Sequence, residues 1–143
     1  MTFDVQAVID RLQQIGVETD NTDEPKVQYL CGLVLTSINN AINENYVATS
    51  LPDGLVYVAI ERTAGEYLAM LDALGTDEAR AKLAALADGS GITQIREGDT
   101  SVSFDSKSTS ASKVASVIDA MRNFGDASHG GDIYKYRKLR WNA

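Results

Sequence analysis

The sequence predicts a mainly α-helical protein, a bundle of four to five helices with one inserted two-stranded β-hairpin at about residues 92–105 and an extended C-terminal tail. Three observations lead there. Apolar residues recur at three- and four-residue spacing over most of the chain, the period of a helix that buries one face. One stretch alone, Ile92-Thr93-Gln94-Ile95-Arg96-Glu97-Gly98-Asp99-Thr100-Ser101-Val102-Ser103-Phe104, alternates apolar and polar residues as a strand does. The end of the chain, residues 133–143, interleaves aromatic and basic side chains.

In chain order, Val5, Val8, Ile9, Leu12 and Ile15 define a first helix over residues 3–15, with Thr2 as its cap and Gly16 as its stop. Asp23-Glu24-Pro25 supplies a capping acid, a first-turn acid and a first-turn proline to a second helix over 24–43. That helix carries Val27, Leu30, Cys31, Val34, Ile38, Ala41 and Ile42 on its apolar stripe. A third helix spans 52–74 and stops at Gly75; its small residues Ala64, Gly65 and Ala69 invite close approach by another helix, within the chain or across a subunit boundary. Thr76-Asp77-Glu78 opens an alanine-rich helix over 77–87 whose only large apolar residues are Leu83 and Leu86, so little burial is expected of it.

In the hairpin, Gly98-Asp99 as the central turn residues set Glu97 opposite Thr100, Ile95 opposite Val102 and Thr93 opposite Phe104, with one apolar face. A lone two-stranded ribbon is marginal in water, so this one must lean on helices or on a neighbouring copy. A serine-rich joint then leads into a last helix over 110–124 with Val114, Val117, Ile118, Met121 and Phe124 on one face and Gly125 at its end.

With 143 residues, 44% of them hydrophobic, the chain can bury one core, and residues 1–143 read as a single domain. No apolar run reaches the roughly 18 residues a membrane span needs, and Met1-Thr2-Phe3-Asp4 lacks the blocks of a signal peptide, which points to a soluble protein made in a cytosol. The net charge of −7 is unevenly spread: residues 1–106 hold 17 acids and 6 bases, residues 107–143 hold 3 acids and 7 bases. The body should repel nucleic acid, while the C-terminal part should attract anionic surfaces.

Little in the sequence suggests catalysis. There is no Walker-type phosphate loop or dinucleotide fingerprint, and a single histidine (His129) and a single cysteine (Cys31) cannot assemble a zinc set. Ser128-His129 beside Asp126 or Asp132 lies in a glycine-rich connector without a nucleophile elbow, which fails to hold a triad rigidly. Asp77-Glu78 and Glu97 with Asp99 read as capping and turn acids, and Cys31, on an apolar stripe, as a buried inert thiol. No cofactor and no metal are called for. The tail is the informative part: Tyr134, Tyr136, Arg137, Lys138, Leu139, Arg140 and Trp141 are the residue types that anchor protein interfaces, as well as types that can fold back over their own bundle.

With these elements laid out, the chain resembles the head-tail connector proteins of long-tailed bacteriophages and prophages, also called head-completion or neck adaptor proteins. The resemblance rests on the stretch Val56-Tyr57-Val58-Ala59-Ile60-Glu61-Arg62, the ribbon Ile95-Arg96-Glu97-Gly98-Asp99-Thr100-Ser101-Val102-Ser103-Phe104 and the close Tyr136-Arg137-Lys138-Leu139-Arg140-Trp141. It covers nearly the full length; the alanine-rich segment 79–87 departs from compact members of the family.

The resemblance implies no enzyme activity. It implies a virion protein of the head-tail neck, made in the bacterial host cytoplasm, that forms a homo-oligomeric ring, typically a dodecamer, on the portal protein. Such a ring extends the DNA channel and receives the stopper and tail-completion proteins. Carried onto this chain, Tyr134, Tyr136, Arg137, Lys138, Leu139, Arg140 and Trp141 would dock on the portal, and Ile95, Arg96, Glu97, Asp99, Val102 and Phe104 would touch the adjacent subunit or next ring. The physics fits at two points: a hairpin that cannot stand alone suits completion by a neighbour, and an acidic body would let DNA pass without sticking. The alternative is a small helical nucleic-acid-binding or regulatory protein that uses the basic C-terminal part.

Overall fold

The computed structural model of the protein describes residues 2–87, 94–97, 100–103, 110–125 and 133–136. Among the described residues there are five α-helices, α1 (Val5–Gln14), α2 (Glu24–Ile42), α3 (Asp53–Leu74), α4 (Asp77–Ala87) and α5 (Ser110–Arg122), followed by a 3-10 turn at Ile133–Tyr136. The architecture is set by α3, which packs against each of the other four helices. Its length and its nearly all-round burial, from Leu55 and Val56 through Thr63 and Ala64 to Leu68 and Leu71, make it the axis of the bundle.

The start of α1 differs from the sequence expectation. The cap is Asp4 rather than Thr2: the Asp4 carboxylate accepts the Ala7 N–H at 2.8 Å. Phe3 and Val8 then occupy the two positions of a hydrophobic staple, and both are buried in the core. A cap at Thr2 would have drawn Phe3 into the first turn.

The start of α2 differs as well. Asp23 precedes the helix, but its own backbone is helical and its side chain makes no cap hydrogen bond. The carboxylate turns inward, accepts the Asp20 N–H at 2.9 Å, and is buried. At the far end Asn43 adopts the left-handed conformation with φ +56°, and the Asn39 amide clasps the following link by donating to the Tyr46 carbonyl at 2.9 Å and accepting its N–H at 3.0 Å. The turn from α2 into α3 is thereby fixed by side-chain hydrogen bonds.

The small residues of α3 serve contacts within the chain. A Cβ on Gly65 would lie 2.7 Å from the Arg122 backbone nitrogen and 2.9 Å from the Met121 carbonyl carbon, so α5 crosses α3 at backbone contact there. Around that crossing Val114, Val117, Ile118 and Met121 of α5 are buried. Gly125 ends the segment at φ +91°, and a Cβ there would collide with Ile133 at 2.8 Å and Val58 at 3.0 Å.

Helix α4 is more firmly placed than its composition suggests. Ala79, Leu83 and Leu86 are all buried against α3 and α5, so the expectation of low burial does not hold along that stripe. Between α4 and α5 the backbone at Gln94–Glu97 (β1) and Thr100–Ser103 (β2) pairs antiparallel, with Gln94 opposite Ser103, Ile95 opposite Val102, Arg96 opposite Ser101 and Glu97 opposite Thr100. Gly98, Asp99, Thr93 and Phe104 lie outside the described residues.

The C-terminal segment is not extended where it is described. Ile133–Tyr136 forms a 3-10 turn, with Ile133 buried and its N–H donating to the Gly125 carbonyl at 3.4 Å. An apolar residue placed directly after a connector closes the floor of the bundle more cheaply than it spans solvent, which explains why the alternation of Tyr134 and Tyr136 does not translate into a strand.

Candidate functional site

No cluster that would perform chemistry emerges from the described residues; the polar side chains tie helices together and leave two exposed faces. Three ion pairs cross between helices. Arg11 of α1 donates through Nε and Nη2 to the Glu61 carboxylate of α3. Arg122 of α5 donates through Nε to Glu66 of α3 at 2.9 Å, and the neighbouring Arg62 donates to the Phe124 carbonyl at 2.6 Å.

The third pair is the most enclosed. Lys82 of α4 reaches over to Asp23 at the head of α2, Nζ to Oδ2 3.1 Å, and lies 3.4 Å from the Tyr67 hydroxyl of α3. The Asp23 side chain keeps only 4% of its surface exposed and that of Lys82 17%. Burial disfavours the Lys82 cation, but the hydrogen bonds to Asp23 and Tyr67 outweigh it, and the ammonium is held above its usual range. Burial pushes Tyr67 up to about 12, with the Asp23 carboxylate adding to the effect. A neutral phenol, an ammonium and a carboxylate in this order form a structural clamp among three helices.

Cys31 is buried, and burial raises its thiol to about 11. Such a thiol is almost entirely protonated at neutral pH and is a poor nucleophile. Among the described residues no group of three or more His, Cys, Asp or Glu is placed to hold a metal, and no helix is long and apolar enough to cross a membrane.

The surface is more suggestive. Tyr29, Leu33, Val47, Tyr57 and Leu74 are large apolar side chains that stand at least half exposed. Tyr29 and Leu33 sit one turn apart on the outer stripe of α2, beside a groove of about 180 Å³ whose wall includes Arg62, Glu66 and Arg122. Tyr57 overlooks a second groove, of about 340 Å³, between α1 and α3, with Asp10, Gln14 and Ile60 in its wall.

Of the tail residues expected to dock, Tyr136 is half-buried against the core, its ring at the start of α3 where a Cβ on Gly54 would strike the hydroxyl at 2.2 Å. Tyr134 belongs by backbone to the same 3-10 turn. Arg137, Lys138, Leu139, Arg140 and Trp141 lie outside the described residues. Of the ribbon residues, Ile95, Arg96, Glu97 and Val102 have their backbones in the two strands, while Asp99 and Phe104 lie outside.

Sequence reasoning missed Lys82 and Asp23. The signal was present: Lys82 falls between Ala79, Leu83 and Leu86 on the single apolar stripe of α4, where a cation has to find a partner or break the stripe. Asp23 was masked by its position, since an acid just before Glu-Pro is the ordinary place for a cap. Against models of protein families, curated proteins and solved structures, the chain finds no match.

Proposed function

We propose that the protein is a structural component of the phage neck, without enzyme activity, that assembles as a ring on the portal, completes the head and gives the stopper and tail proteins a platform. The observation that supports this best is the pair of half-exposed apolar faces, Tyr29 with Leu33 and Tyr57, on a small bundle whose own core is already closed around α3. Exposed aromatic and leucine side chains in grooves rimmed by charge are what a protein displays for partners of fixed geometry. The resemblance to head-tail connectors adds the identity of those partners: the portal on one side, further copies around the ring, and the stopper beyond.

In this reading the C-terminal segment is the portal-docking piece. Tyr136 anchors its root on α3, and Arg137, Lys138, Leu139, Arg140 and Trp141 supply cations and a large aromatic beyond that anchor. The ribbon, with Ile95, Arg96, Glu97, Asp99, Val102 and Phe104, completes itself against a neighbouring subunit or the next ring. The acidic body lets DNA pass through the ring, because sticking requires neutralised phosphates.

The test is binding to purified portal from the same genome. The full chain should bind, and a chain lacking residues 137–141 should bind more than about tenfold more weakly, since losing an aromatic and an arginine anchor costs about 2 kcal/mol or more. Unchanged binding by the shortened chain would refute the assignment of the tail.

A further inference from the structure

We propose that the α2 face bearing Tyr29 and Leu33 of one copy docks head to tail on the α1–α3 face bearing Tyr57 of the next. The proposal deepens the ring reading above and rests on it. The first argument is placement. At about 3.6 residues per turn, Arg62 and Glu66 point to one side of α3 while Tyr57 and Ile60 point to roughly the opposite side, so the two grooves flank one central helix. Faces set back to back in this way can meet between copies only in a repeating, heterologous contact, the kind that closes rings.

The second argument is charge. Helix α2 holds no acid after Glu24, although the protein as a whole carries −7, and its outer stripe runs Lys26, Tyr29, Leu33, Ser37 with Arg62 and Arg122 alongside. The opposing face is acidic at its rim, with Asp10 on α1 and Asp53 one turn before Tyr57 on α3, while Glu61 is already matched to Arg11. A cation-rimmed apolar stripe thus meets an acid-rimmed aromatic one.

The third argument is Gly32. A glycine inside a helix costs about 1 kcal/mol relative to alanine, and within this chain nothing comes within 4 Å of the place its Cβ would take. Gly65 repays that cost by admitting α5; Gly32 has no such neighbour, and it lies beside Tyr29 and Leu33 where a second copy would approach closely.

Crosslinking tests this with the anchors left intact. In a Cys31→Ser background, Thr36→Cys places a thiol on the α2 stripe and Gln14→Cys places one on the edge of the α1–α3 groove. When the two proteins are mixed at high concentration with a short bismaleimide, the mixed dimer should dominate well above its statistical share, and adding Leu33→Asp to the Thr36→Cys protein should return it to that share. Products at the statistical ratio, a preference for same-variant dimers, or indifference to Leu33→Asp would each overturn the proposal. Portal binding by the same proteins is read separately. Crosslinking that fails while portal binding persists removes this surface pair alone; portal binding that fails while crosslinking succeeds removes the neck assignment and keeps the contact between copies.

Discussion

Lys82→Met should lower the stability of the folded chain by about 3 kcal/mol, because it leaves the Asp23 carboxylate buried without its cation. The remaining partner, the Asp20 N–H at 2.9 Å, is a single neutral donor and cannot offset the loss. Asp23→Asn should cost less, since Lys82 is the more exposed of the two and its long stem can swing the ammonium into water. Urea unfolding of both variants and of the double variant gives the coupling energy directly. Equal effects of the two single changes, each below about 1 kcal/mol, would place the pair with ordinary surface bridges and contradict the clamp.

The pH dependence follows from the same geometry. Lys82 and Tyr67 both have folded-state pKa values above their ordinary ones, Tyr67 at about 12. A group raised on folding holds its full contribution below its unfolded pKa and loses it as pH climbs through the folded value. The clamp is therefore intact throughout the neutral range. It fails only in alkali, starting near pH 10, where an unfolded tyrosine or lysine begins to lose its proton.

Gly65→Ala should destabilise by about 2 kcal/mol although alanine is the better helix former. The added Cβ meets backbone atoms of Met121 and Arg122 at 2.9 and 2.7 Å, and backbone cannot rotate out of the way as a side-chain end does. The two helices must move apart, loosening Val117, Ile118 and Met121 on one side and the Arg122–Glu66 bridge on the other. Gly32→Ala is the matched control: its Cβ would meet nothing within 4 Å, so it should stabilise the isolated chain by up to about 1 kcal/mol. Denaturation midpoints for the two variants should move in opposite directions; a shift of the same sign for both would mean that helix propensity, not the α3–α5 crossing, decides them.

The helical frame was legible because its signals are local and redundant. The spacing of Val27, Cys31, Val34 and Ile38 determines the buried side of α2, and the run from Leu55 to Leu74 closed by Gly75 determines the reach of α3. What could not be read were the choices that depend on a distant partner. Whether Asp4 or Thr2 caps α1 turns on where Phe3 finds its pocket. Whether Asp23 caps α2 or turns inward depends on Lys82, 59 positions along the chain.

The weight of α4 was missed for a related reason. Alanine contributes little to any hydropathy signal, yet Ala79 beside Leu83 and Leu86 is enough to seat a short helix in a groove between two others. The surface was harder still to interpret. Tyr29 and Leu33 fit the helical pattern of α2 as well as its buried residues do, and only the packing of the other helices shows that they are left outside. Tyr57 was similarly submerged in the apolar run of α3.

The central claim is that this bundle is built to be covered by other proteins in a ring, and electron microscopy of the purified chain mixed with its portal tests it most directly. The account predicts an added ring of density on the portal, one copy of this chain per portal subunit, with adjacent copies meeting through the Tyr29–Leu33 and Tyr57 faces. Portal particles that stay bare at saturating protein would contradict it.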